Sequence, residues 1–205
     1  MKHFVFMLVI LNPFAQVLYL NELIDRLSFR QFLHVHSNAS LLSFGVFLLF
    51  ALVGEPLLQD VFQVKVASLQ IFGGLIMLVL AYRYVAIGPG SNVLFRGDIN
   101  DLAPRISLPY MVGPGTIWIA IIIGRNYVIP VAVGIIAGVL FVNFLILVGY
   151  HYLQSRVHGQ RETMVGKYFS ILMRTNALFI GAIAVEMILT GFQSAMTDFG
   201  MQGGG

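Results

Sequence analysis

Long apolar runs separated by short polar connections organise this chain. Stretches without Asp, Glu, Lys or Arg cover residues 3–21, 31–54, 66–82, 106–124 and 126–155. A sixth, 175–197, is interrupted only by Glu186. A bilayer core is crossed by about 20 apolar residues in a helix, so the pattern predicts an all-α polytopic protein with six transmembrane helices. Two spans are punctuated. The first holds Asn12-Pro13-Phe14-Ala15-Gln16, and the fourth holds Gly113-Pro114-Gly115-Thr116 with Pro109 just before it. Proline lacks an N–H and clashes with the carbonyl four residues back. Spans one and four are therefore expected to be discontinuous, with the freed backbone groups facing protein or water.

Composition agrees with a membrane reading. Of 205 residues, 58% are hydrophobic and only 10% charged, where a soluble domain carries about 25% charged residues. A water-soluble enzyme, a disordered chain and a disulfide scaffold are excluded, the last also by the absence of cysteine. The formal charge of +3 marks no nucleic-acid surface, because the basic residues sit in the connections rather than in a stripe. Lys2 and the apolar run after it resemble a signal peptide, but no small-residue cleavage pattern follows, so the run is read as span one. No nucleophile motif, phosphate loop or zinc signature is present, so no enzyme activity and no cofactor are expected. His34-x-His36, His151 and His158 lack carboxylates at ligand spacing and are read as solvated loop residues, not a metal site. Asn38-Ala39-Ser40 is read as the N-cap of span two.

Arg26, Arg30, Arg83, Arg96, Arg105, Arg156, Arg161 and Lys167 follow spans one, three and five. Lys2, Lys65 and Arg125 lie on the other side. The positive-inside rule puts the first group in the cytoplasm and both termini outside.

The two halves match. Pro13 to Gln70 is 57 residues, and Pro114 to Arg174 is 60. Gly73-Gly74 follows Gln70 at the offset where Ala177 follows Arg174. The pattern suggests a three-helix repeat over 1–88, a cytoplasmic connection over 89–104, a second repeat over 105–196 and a disordered tail over 197–205. An odd number of spans per unit inverts the copies. Inverted repeats with broken helices at corresponding places point to a secondary transporter with a midplane site.

Several of these motifs together resemble one family. Asn12-Pro13, Gly54-Glu55, Gly73-Gly74, Gly113-Pro114-Gly115-Thr116-Ile117, Ala182-Ile183-Ala184-Val185, Met187-Ile188-Leu189 and Gly191 look like the MarC family of small bacterial inner-membrane proteins, which includes the SnatA-type neutral amino acid transporters. The resemblance covers roughly Phe6 to Gly191. It implies six spans in inverted repeats and transport of small neutral amino acids. Ala15 and Gln16 stand where the family usually has Gly and Asn. Gln70, Ala177 and Glu186 stand where it often has Arg, Gly and Gln.

The candidate substrate-binding residues are Asn12, Pro13, Ala15, Gln16, Gly113, Pro114, Gly115 and Thr116. Asn12 and Gln16 lie one helical turn apart, and their amides either line a polar cavity or satisfy backbone freed by Pro13. The half-helix after Pro114 either offers N–H groups to a carboxylate or packs closely through its glycines. Glu186, the one carboxylate inside a span, either carries a coupling proton or snorkels to the interface. Arg174 is read as an interface anchor and Glu55 as a helix-end residue. Gly134-x-x-x-Gly138 predicts close helix approach, and Trp118 either lines the interface or walls the cavity. The leading function is a secondary transporter or exporter of small neutral amino acids. The alternatives are a channel-like facilitator and a non-transporting scaffold.

Overall fold

The computed structural model describes residues 2–86, 102–107, 111–156 and 160–202. All regular structure among these residues is helical: α1 (Lys2–Leu11), α2 (Pro13–Tyr19), α3 (Asn21–Arg26), α4 (Phe29–Pro56), α5 (Val66–Ala86), α6 (Leu102–Ile106), α7 (Pro114–Asn126), α8 (Ile129–Arg156) and α9 (Gln160–Gln202), with a π-helical turn at Leu57–Val61 after α4. Among the described residues, four helical segments are long and apolar enough to cross a membrane: Phe29–Val61, Val66–Arg83, Ile129–Gln154 and Ala177–Thr197. The expected first and fourth spans are broken into shorter helices, as their prolines require.

Local chemistry sets the helix ends. Ser28 caps α4 reciprocally with Gln31: its N–H donates to Gln31 Oε1 at 3.0 Å, and Gln31 N–H reaches Ser28 Oγ at 3.5 Å. This is the capping-box arrangement. The cap expected at Asn38-Ala39-Ser40 is therefore corrected. Those residues lie a few turns inside α4, because the helix starts at the stronger signal of Ser28 and Gln31. The polar connection after span five, which carries Arg156, Arg161 and Lys167, is already helical from Gln160, where α9 begins. Its 43 residues rise about 65 Å at 1.5 Å per residue, roughly twice a hydrocarbon core. The tail also departs from expectation, since α9 continues to Gln202. Of the 89–104 connection only residues 102–104 are described, and they belong to α6. Gly88-Pro89-Gly90, Pro109, Arg96 and His158 lie outside the described residues.

α5 packs most extensively on α9, and α4 packs on α7 and α8. Small residues permit these approaches, as membrane packing requires. A Cβ on Gly74 would lie 2.8 Å from the Ala184 carbonyl oxygen of α9, and one on Gly191 would lie 3.1 Å from the Ala67 carbonyl oxygen of α5. Gly124 of α7 sits against the backbone of Ala51 of α4. Gly138 approaches the Phe4 ring of α1, whereas Gly134 faces open space. The predicted close approach on α8 thus holds at one glycine of the pair. Glu55, at the end of α4, pairs with Arg125 at the end of α7 at 3.1 Å. Arg125 is exposed and Glu55 half-buried, so the pair adds about 0–1 kcal/mol and mainly fixes the ends.

The histidines are corrected as well. His34 is exposed on α4, where its Nε2 meets Asn38 Nδ2 at 3.2 Å. His36 is fully buried, because its helical period places it on the face of α4 that meets α8. Its ring lies between Phe32 at 5.6 Å and Phe144 at 5.4 Å, with interplanar angles of 14° and 7°. Phe32 in turn stacks on His151 of α8 at 4.8 Å. His151 Nε2 donates to the Leu27 carbonyl at 3.1 Å. Neither ring nitrogen of His36 has a hydrogen-bond partner among the described residues. An unsatisfied buried polar group costs about 1–3 kcal/mol. His36→Phe keeps the stack and removes that cost, so its melting temperature in detergent is expected to equal or exceed the parent's. A clear drop would show that the imidazole has a partner that stabilises it.

Candidate functional site

The two breaks are built differently and lie against each other. At the first, α1 ends at Leu11 and α2 starts at Pro13. Asn12 between them takes the left-handed conformation, φ 52°, which asparagine tolerates better than other non-glycine residues. Pro13 cannot donate, so the turn closes through Asn12 N–H to Leu8 O at 3.1 Å and Gln16 N–H to Asn12 O at 3.1 Å. At the second, Gly113 is extended, with φ −126° and ψ 173°, and Pro114 opens α7, the helical position that loses nothing by lacking an N–H. Gly115 of α7 brings the breaks together. A Cβ there would lie 3.3 Å from Ile10 of α1 and would strike the Met77 sulfur of α5. Gly73 of α5 lies as close to Pro114, 3.1 Å by the same measure.

Each break is stitched by a polar side chain just beyond its proline. Gln16 Nε2 donates to the Leu11 carbonyl at 2.7 Å. Thr116 Oγ1 accepts from Gly113 N–H at 2.8 Å and donates toward the carbonyls of Met111 at 3.0 Å and Gly113 at 2.9 Å. Gln16 and Thr116 are both buried. The Gln16 bond satisfies backbone freed by Pro13, one of the two readings given for that residue, and the Thr116 bonds serve the second break in the same way. Ser43 of α4 holds the approach to the second break, with its hydroxyl 2.8 Å from that of Ser107.

Asn143 is the residue that reading the sequence missed. It is fully buried on α8, and its Nδ2 donates to Gln16 Oε1 at 3.1 Å. Its Oδ1 has no hydrogen-bond partner among the described residues. The signal was available: an amide in the middle of the most apolar span is costly in lipid and faces the bundle interior by default.

The other candidates are placed as follows. Asn12 and Pro13 are buried at the break. Ala15 lies on α2, its side chain outside the described set. Glu186 is exposed on α9 and turned away from the inner face that holds Ala184 and Met187. The structure does not bring it to the breaks. Arg174 is exposed on the same helix, and Gln70 is buried on α5. Trp118 is half-buried, with its ring edge-on to Phe6 of α1 at 6.0 Å.

Four apolar crossing helices and two broken segments joined at their breaks define a multi-pass integral membrane protein. The chain belongs to the MarC family of integral membrane proteins, whose family description matches residues 1–196. It is 26% identical over 189 residues to a UPF0056 membrane protein of Pyrococcus horikoshii, covering 90% of this chain and 89% of that one. No solved structure matches it significantly.

The left-handed turn at Asn12 yields a direct check. Asn12→Gly keeps φ near +50° without a Cβ penalty, whereas Asn12→Val forces a branched side chain there, at about 1–2 kcal/mol. Asn12→Val is expected to unfold at the lower temperature of the two in detergent. Equal melting would mean that the turn is not left-handed.

Proposed function

We propose that the protein is a secondary transporter or exporter of small neutral amino acids, binding its substrate between the two breaks. The observation that carries this reading is the contact of Gly115 with Ile10, which joins two discontinuous helices at their interruptions. Non-helical backbone within a membrane is tolerated where it is buried in protein or lines a cavity, and paired broken helices are how transporters form midplane sites. Family membership supports a membrane role and leaves the cargo to be argued from chemistry.

The same proposal includes six spans arranged as two inverted repeats, with both termini on the outer side of a bacterial inner membrane. Helix lengths and contacts support duplication. α4 and α8 each have 28 residues. The pairings α4–α6, α4–α7 and α5–α7 have counterparts in α8–α1, α8–α2 and α9–α2, while α4–α8 and α5–α9 map onto themselves.

A zwitterion suits the electrostatics of the breaks. In α7 the first intrahelical bond is Ile117 N–H to Gly113 O at 2.9 Å, so the Gly115 and Thr116 N–H groups precede it and carry the positive end of the helix dipole. They can receive a carboxylate once Met77, a flexible thioether, moves off Gly115. The C-terminal end of α1 carries the opposite partial charge and suits an ammonium. Glycines at the second break and Ala15 beside the first restrict the side chain, which favours glycine, alanine or serine. Coupling to protons through Glu186 belongs to the same reading.

Counterflow in proteoliposomes tests it. Labelled alanine is expected to accumulate against unlabelled alanine, glycine or serine, saturably and not against leucine. Glu186→Gln is expected to flatten the pH dependence of uptake. Linear, non-saturating entry would replace the transporter by a facilitator, and no exchange of any amino acid would remove the transport reading.

A further inference from the structure

We infer that Asn143 is an ammonium-binding residue, its Oδ1 accepting a hydrogen bond from a primary ammonium group held at the break between α1 and α2. Asn143 is fully buried, and its Oδ1 is without a partner among the described residues. Which end of the amide faces the site follows from a chain of bonds anchored on backbone. The Leu11 carbonyl can only accept, so the Gln16 group 2.7 Å from it is the Nε2 donor. Gln16 therefore turns Oε1 toward Asn143, and Asn143 must answer with Nδ2, at 3.1 Å. The oxygen of Asn143 is left as the free end. Exchanging the oxygen and nitrogen of either amide would set two donors or two acceptors against each other, so the order is fixed without reference to a ligand.

The run of acceptors matches one chemical class. Leu11 O, Gln16 Oε1 and Asn143 Oδ1 follow one another along this chain of bonds, and each of the first two keeps a second lone pair. An alkylammonium brings three N–H donors and no acceptor. No Lys or Arg occurs between His3 and Asn21, and α8 carries none before its last residue, Arg156. Beyond Lys2 at the far end of α1, no Lys or Arg on α1, α2 or the body of α8 therefore competes for these oxygens. A carboxylate has nothing to accept from at the free oxygen, and an apolar ligand would leave it unsatisfied.

The physiological ligand of this residue rests on the transport reading above, but its chemistry does not, and the test separates the two. Methylammonium is titrated into the purified full-length protein in lipid nanodiscs while its melting temperature is followed, and alanine counterflow is measured on the same preparations. The parent is expected to be stabilised saturably by methylammonium. Asn143→Leu is expected to raise the half-saturating concentration at least tenfold. Asn143→Ala, which removes the same oxygen without adding bulk, is expected to raise it at least tenfold as well. A parent indifferent to methylammonium overturns the inference, and so does an Asn143→Leu variant that responds as the parent does. Should Asn143→Leu fail to fold, Asn143→Ala decides, since an unchanged response also overturns it. Methylammonium binding that depends on Asn143, in a protein that exchanges no amino acid, sustains this inference and removes the transport reading. Alanine counterflow with parental half-saturation in Asn143→Leu does the reverse.

Discussion

Backbone satisfaction in a medium without water governs this structure. Every N–H and C=O inside hydrocarbon needs an internal partner, and Pro13 and Pro114 each remove a donor and interrupt the ladder. The chain meets that demand twice in the same way. A polar side chain placed two or three residues after the proline reaches back to a carbonyl before it: Gln16 to Leu11, and Thr116 to Met111. Without these bonds the breaks would expose carbonyls to lipid. With them the breaks must lie inside the bundle, because the stitching amide and hydroxyl are themselves polar. The long helices are then obliged to surround the breaks, and the glycines of α5, α7 and α9 allow them to come close enough.

Much of this was legible along the chain. The apolar runs located α4, α5, α8 and the apolar part of α9, since their lengths answer to a bilayer thickness and need no knowledge of neighbours. The prolines located both breaks to the residue, because proline's geometry is local. What could not be read was which polar residue meets which. Asn143 pairs with Gln16 across 127 positions, and nothing local signals that. His36 and His151 looked like loop residues because polar residues usually mark connections. Here α4 begins at its Ser28 cap, and the period of the helix turns His36 inward against Phe144. The length of α9 was missed for a related reason. The polar residues from Gln160 to Lys167 contain no helix breaker except Gly166, so a helix can run through them beyond the apolar stretch.

The two stitches leave different remainders. Thr116 closes the second break with one hydroxyl that both accepts and donates, and beyond it lies the N–H end of α7, covered by Met77. Gln16 closes the first break with its amide nitrogen alone. Its oxygen must then be answered by a donor from another helix. Asn143 supplies that donor and in doing so turns an oxygen inward with nothing to accept from. An asparagine cannot satisfy one end of a buried neighbour without presenting its own other end. The acceptor at the first break is thus a consequence of how the break is closed. Because the second break closes on itself, the proposed site between them sets an acceptor on the α8 side against donors at the start of α7. That asymmetry is what supports a zwitterion, with its positive and negative groups a few bonds apart, as the proposed ligand.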